Sequence, residues 1–162
     1  MTFKHSWHKQ EANFGAPIVD EVHGGAHVSV EILPSFQGKY LLCRRPNGVP
    51  GHVLPPNADR FPRGLLYFCY DLIRWGESTE QCISRIVKEQ IEAAVVSYRV
   101  VDFYSYVHAD SNNWAMVPCF IAELAALPKI SATVTEVVQC DTSSLPDDIA
   151  WWGKPDILKL MA

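Results

Sequence analysis

The alternation of apolar and polar residues first becomes regular at residues 27–33, His-Val-Ser-Val-Glu-Ile-Leu, where Val28, Val30 and Ile32 share one face of a strand. Pro34 is expected to end that strand, and Ser35-Phe36-Gln37-Gly38 supplies turn chemistry. A second strand at residues 39–45, centred on Tyr40, Leu41, Leu42 and Cys43, completes a β-hairpin. Residues 46–64 then carry Pro46, Pro50, Pro55, Pro56 and Pro62 with Gly48, Gly51 and Gly64, which excludes a helix or a central strand and predicts a long loop. Residues 65–75 read as a buried strand.

The period then changes from two to 3.6. Gly76-Glu77-Ser78 opens a helix, because Ser78 is a good N-cap and Gln81, three residues later, closes a capping box. The helix is expected to run to about Ala94, with Ile83, Ile86, Val87, Gln90, Ile91 and Ala94 on one stripe and Gln81, Arg85, Lys88, Glu89 and Glu92 opposite. Two apolar stretches, residues 98–108 and 114–124, flank the turn-like Ala109-Asp110-Ser111-Asn112-Asn113 and predict paired antiparallel strands. Residues 130–140 suggest another strand, and Pro155-Asp156 begins a short terminal helix containing Leu158, Leu160 and Met161. Residues 1–24 follow neither period and are expected to form an irregular arm ahead of one domain, residues 25–162.

Composition narrows the function classes. A chain of 162 residues that is 48% hydrophobic and 20% charged suits one globular domain with its own core. Net charge is −4 and no stretch gathers a Lys/Arg run, which argues against a broad nucleic-acid surface. No segment reaches the roughly 18 apolar residues of a membrane helix, and the N-terminus lacks an apolar signal core, so a cytoplasmic protein is expected. Cys43, Cys69, Cys82, Cys119 and Cys140 are scattered and never form a CxxC pair; they read as small buried apolar residues rather than a disulfide or zinc framework. The six histidines include no paired ligand motif.

One stretch carries a family signature. Glu77, Arg85 and Glu89 fall without a gap on the pattern G-x5-E-x7-R-E-x-x-E-E-x-G of the Nudix hydrolases, which the chain resembles over roughly residues 25–161. Gly76-Glu77-Ser78 matches the family's helix start, with Cys82 and Ile83 in the small apolar positions that follow. Arg44-Arg45-Pro46 resembles the end of the family's first hairpin, and Leu145-Pro146 its closing segment. The departures are specific. Asp71 and Tyr70 stand at the leading glycines, Ile86 and Gln90 at two of the three helix glutamates, and Glu92 at the closing glycine.

The resemblance implies an α/β/α sandwich built on a mixed sheet. It also implies cleavage of a nucleoside diphosphate linked to another moiety, by water attacking phosphorus beside Mg2+ or Mn2+ held on helix glutamates. Carried over residue by residue, Glu77, Glu89 and Glu92 are the candidate metal ligands, and Glu89 and Arg85 the catalytic pair, with Arg85 orienting Glu89. Arg44, Arg45 and Arg60 are candidate phosphate contacts, and Tyr70, Phe68 and Trp75 candidate stacking partners for a base. Asp71, Asp110 and Glu123 are candidate replacements for the absent carboxylates. Two functions follow. One is a domain that binds such a ligand, with metal-dependent hydrolysis weak or lost; the other is a nucleotide-sensing or protein-interaction domain that keeps only the fold. The expected partner is a small nucleotide or diphosphate ligand, with a homodimer left open. For Arg85, Glu89 and Glu92 a solvated helix face with ordinary i, i+3 and i, i+4 pairs is the competing reading.

Overall fold

A mixed seven-stranded sheet organises the chain, in a computed structural model that describes residues 26–48, 54–55, 58–74, 76–107 and 112–162. The expected N-terminal arm, Trp75, His108 and the tip of the turn at residues 109–111 lie outside the described residues, as does much of the Pro/Gly-rich loop. The strands are β1 (Ala26–Phe36), β2 (Lys39–Arg45), β3 (Leu65–Tyr67), β4 (Cys69–Leu72), β5 (Val95–Val107), β6 (Trp114–Leu124) and β7 (Glu136–Cys140). The helices are α1 (Thr79–Ile91) and α2 (Lys154–Met161).

Two strands differ from expectation for one reason. β1 runs through Pro34 to Phe36, and the single strand expected at residues 65–75 is split at Phe68 into β3 and β4. On one edge β1 pairs antiparallel with β4 at residues 29–32 and with β2 only at residues 35–36, whereas β3 pairs with β2 at residues 43–45. β1 and β2 therefore splay apart from their shared turn, and residues 65–72 wedge between them, leaving one partner for the other at Phe68. Pro34 falls in the gap between the β4 and β2 pairings, where that edge asks for no backbone donor. The other edge of β1 pairs in parallel with β6, from Ala26–Trp114 to Ser35–Glu123.

Gly64 makes the wedge possible. Its φ is +86°, and a Cβ there would lie 1.8 Å from the Arg45 carbonyl oxygen, so the chain passes against the β2 backbone only without a side chain.

Two apolar layers sandwich the sheet. α1 packs Cys82, Ile83, Ile86, Val87 and Ile91 onto Val30, Ile32, Leu41, Cys43, Cys69 and Phe120. α2 places Ile157, Leu160 and Met161 against Leu33, Leu42, Phe68, Val117 and Cys119 on the opposite face. The architecture is the expected α/β/α sandwich. α1 ends earlier than expected, at Ile91, because Glu92 caps it with a left-handed backbone (φ 55°), and Ala93 rather than Ala94 is buried. β7 is also shorter than the stretch at residues 130–140. Ser131 Oγ accepts the N–H groups of Thr133 and Val134 and folds that segment into a turn. All five cysteines are buried and free.

Candidate functional site

The wedge delivers β4 beneath the start of α1, and the sequence between them forms a turn that returns its own carboxylate. Gly76 adopts φ +78°, the Arg74 N–H donates to Glu77 Oε2 (2.8 Å), and the Glu77 N–H donates to the Arg74 carbonyl (3.1 Å). Ser78 then caps α1, accepting from the Gln81 N–H while the Gln81 side chain accepts from the Ser78 N–H, as the capping box requires.

Arg85, about two turns into α1, gathers what these elements bring. Its guanidinium donates to Glu77 Oε1 (2.5 Å) and Oε2 (3.0 Å), to Asp71 Oδ2 (2.6 Å), to the Leu72 carbonyl (2.9 Å) and, at 3.4 Å, to Glu89 Oε2. The Arg85 side chain is only 10% exposed, whereas that of Glu89 is 47% exposed. A second arginine, Arg74, donates from both terminal nitrogens to Glu89 at 3.2 Å. Charge-assisted bonds from Arg85, with the Arg74 N–H, hold the Glu77 carboxyl down at about 2, while burial opposes them. The same bonds to Glu77 and Asp71 push the Arg85 guanidinium further up.

The inner flank of α1 is different. Gln90 closes on the Tyr70 backbone with both ends of its amide, accepting the Tyr70 N–H (3.1 Å) and donating to the Tyr70 carbonyl (2.5 Å). Its oxygen also accepts from the Arg45 guanidinium. Arg45 is buried, with its charge 5.6 Å from the Tyr70 ring centroid and 5.9 Å from that of Tyr67. Ile86 is wholly buried in the core beneath α1.

The structure thus gathers Asp71, Glu77, Arg85 and Glu89 into one network and sets Tyr70, Arg45 and Gln90 beside it. Glu92 stands apart as the C-cap, its N–H bonded to the Lys88 carbonyl. Arg44 is buried and faces away from α1, with its guanidinium bonded to Glu136, to Asp148 (2.6 Å) and to the Gly64 carbonyl (2.8 Å). Phe68 stacks on Trp152 beneath α2, at 5.2 Å between centroids. Glu123 accepts from Ser35 Oγ (2.7 Å) and the Gln37 N–H (3.0 Å) at the hairpin turn, and Asp110 and Trp75 lie outside the described residues. Sequence reasoning missed Arg74, whose only signal is its position three residues before Glu77, and it missed the Gln90–Tyr70 clamp.

No family profile and no curated protein matches the sequence. Solved structures do match. A MutT Nudix hydrolase from Burkholderia pseudomallei superposes with a TM-score of 0.60 over 83% of this chain and 95% of its own, at 14% identity. A MutT protein from Methanosarcina mazei Go1 gives 0.61 over 87% and 94%, also at 14% identity. The chain has the Nudix fold. A Nudix hydrolase from Nitrosomonas europaea reaches 22% identity, with a TM-score of 0.56 over 91% of this chain and 71% of its own.

In this Nudix-fold domain the helix residues suit guanidinium groups better than a hard dication. Both Glu77 oxygens accept from Arg85 or the Arg74 N–H, and an ion on Glu89 would have to displace Arg74 and Arg85. At two further motif positions the side chains are apolar or neutral, Ile86 in the core and Gln90 on the Tyr70 backbone. Among the described residues, no three His, Cys, Asp or Glu side chains converge as a metal-holding group. The donor set present does not fit a resident Mg2+ or Mn2+ ion. Among the described residues, no helix is long and apolar enough to cross a membrane, which says nothing of a β-barrel.

Proposed function

We propose that this Nudix-fold domain binds a nucleoside diphosphate linked to another moiety beside the Arg74–Glu89–Arg85 network, and that metal-dependent hydrolysis there is weak or lost. The observation that carries this reading is the use made of the motif helix. Its carboxylates neutralise Arg74 and Arg85, and Gln90 is spent on the Tyr70 backbone. A diphosphate has the charge to recruit the same two guanidinium groups, Arg74 being the more exposed. Tyr70, whose half-buried ring packs on Tyr67 and the Arg45 guanidinium, is the candidate aromatic contact for a base. In this reading Glu89, the more exposed of the helix-side carboxylates around Arg85, is the residue whose change tests for any residual metal dependence, because Glu77 is held by Arg85 and Glu92 stands apart at the C-cap. Arg44 and Arg45 then act from within the sheet, as fixed positive charge rather than as direct contacts.

The competing reading, a protein-interaction domain that keeps only the fold, draws on the apolar strip exposed along β5. Calorimetry separates the two. Wild type and Glu89→Gln are titrated with Mg2+ or Mn2+ and with a panel of nucleoside diphosphate compounds, and phosphate release is followed in parallel. The proposal expects nucleotide heats without metal, and turnover near the uncatalysed background. Turnover in the usual enzyme range of about 1–1,000 per second, abolished in Glu89→Gln, would overturn the claim of lost chemistry. No nucleotide heat in either protein would overturn the claim of binding.

A further inference from the structure

β5 closes one side of the sheet and, among the described residues, pairs only with β6. Long, apolar, unpaired edges invite another strand, and proteins usually blunt them with Lys, Pro, bulges or brevity. Apart from its bulges, β5 does none of these. It is 13 residues long, lacks Lys and Pro, and carries only two charges, Arg99 and Asp102. Val96, Tyr98, Val100, Phe103, Tyr106 and Val107 are all exposed, with Val100 at 62% and Phe103 at 60%.

The exposed residues are ordered by face. Directly opposed residues of an antiparallel pair share a face, and Tyr98, Val100, Phe103 and Val107 oppose Ala122, Phe120, Pro118 and Trp114. Phe120 and Ala122 belong to the core beneath α1, so this strip continues the α1 side of the sheet past the helix's cover. Arg99 opposes Ile121 and Asp102 opposes Cys119, both in the α2-side core, so the two charges share the other face. The register slips between Val100 and Asp102, where Val101 is the extra residue of a bulge. With Val101 set aside, Tyr98, Arg99, Val100, Asp102 and Phe103 alternate strictly.

We propose that β5 pairs antiparallel with β5 of a second copy, across a two-fold axis through Val100, joining two sheets into one. A two-fold pairing matches faces only when centred on a ladder residue, since a centre between two residues sets opposite faces against each other. The charges then choose the centre. Centring on Arg99 sets two arginines face to face, and centring on Asp102 does the same with two aspartates. Centring on Val100 sets each Arg99 against the second copy's Asp102, and each Tyr98 against the second copy's Phe103. Among the described residues neither Arg99 nor Asp102 has an ion-pair partner within the chain; Asp102 Oδ1 accepts the Phe103 N–H (2.8 Å), which leaves its second oxygen for Arg99 of the other copy.

Light scattering and sedimentation of wild type, Arg99→Asp and Asp102→Arg test this register, using two exposed positions whose change should leave the fold intact. Wild type is expected at the dimer mass. Each single variant is expected to associate roughly tenfold or more weakly, because every facing pair becomes like-charged. An equimolar mixture of the two variants should recover a heterodimer of wild-type strength, since each charge again meets its opposite. A monomeric wild type at about 100 μM, single variants that dimerise as wild type does, or a mixture that stays monomeric would each overturn the proposal.

Discussion

Arg85 meets three carboxylates and a carbonyl drawn from β4, from the turn before α1 and from α1 itself. Removing one partner of a largely buried charge network leaves the others uncompensated, an effect softened here because Asp71 and Glu89 are part-exposed. Arg85→Ala is expected to lower stability by about 2–3 kcal/mol in urea unfolding. The pH dependence belongs to the same contacts. Glu77 is held at about 2 in the fold against a usual 4.5, so its contribution is complete above about 4.5 and is lost as pH falls toward 2. In Arg85→Ala the main cause of that shift is gone. Its stability relative to wild type should therefore be worst near neutrality and recover between about 4.5 and 2, as thermal melts across that range would show. Part of this network was legible beforehand. Glu77, Arg85 and Glu89 follow from motif spacing, and the structure joins them. The place of Asp71 depends on β4 pairing with β1, and Gln90 reads as a neutral member of an apolar stripe until the Tyr70 backbone is set beside it.

Among the elements, α1 was the most legible, because a capping box and a 3.6-residue stripe are local facts that tertiary structure need only accept. The broken strand at residues 65–72 was not legible, since nothing near Phe68 announces that β1 and β2 diverge there. The same divergence lets Pro34 stand inside β1, against its usual meaning. Gly64, read only as part of a long loop, proves to be a spacing constraint. Gly64→Ala would combine a left-handed backbone with a Cβ driven into the Arg45 carbonyl, and is expected to cost about 3 kcal/mol or more, or to prevent folding. Denaturant unfolding would register the loss, and Gly48→Ala, where a Cβ meets nothing within 4 Å, provides the neutral control.

For the whole molecule, two apolar layers on one sheet account for the burial of every cysteine, as the scattered spacing and lack of CxxC pairs suggested. Burial also raises the thiols of Cys69, Cys82 and Cys140 to about 11, far from the reactive thiolate at neutral pH. The native protein is expected to leave all five thiols unreacted toward a disulfide reagent at pH 7.5, and to release the full five on denaturation. Rapid labelling of any thiol before unfolding would contradict this packing. The order of the chain adds a constraint on synthesis. The parallel partner of β1 is β6, which joins Ser35 to Glu123 and Ala26 to Trp114, so β1 cannot be flanked on both edges until nearly ninety further residues have been made. While the ribosome is still adding them, the hairpin offers Val30, Ile32 and Leu33 to whatever is near, and chains halted before residue 114 should be those that chaperones hold longest.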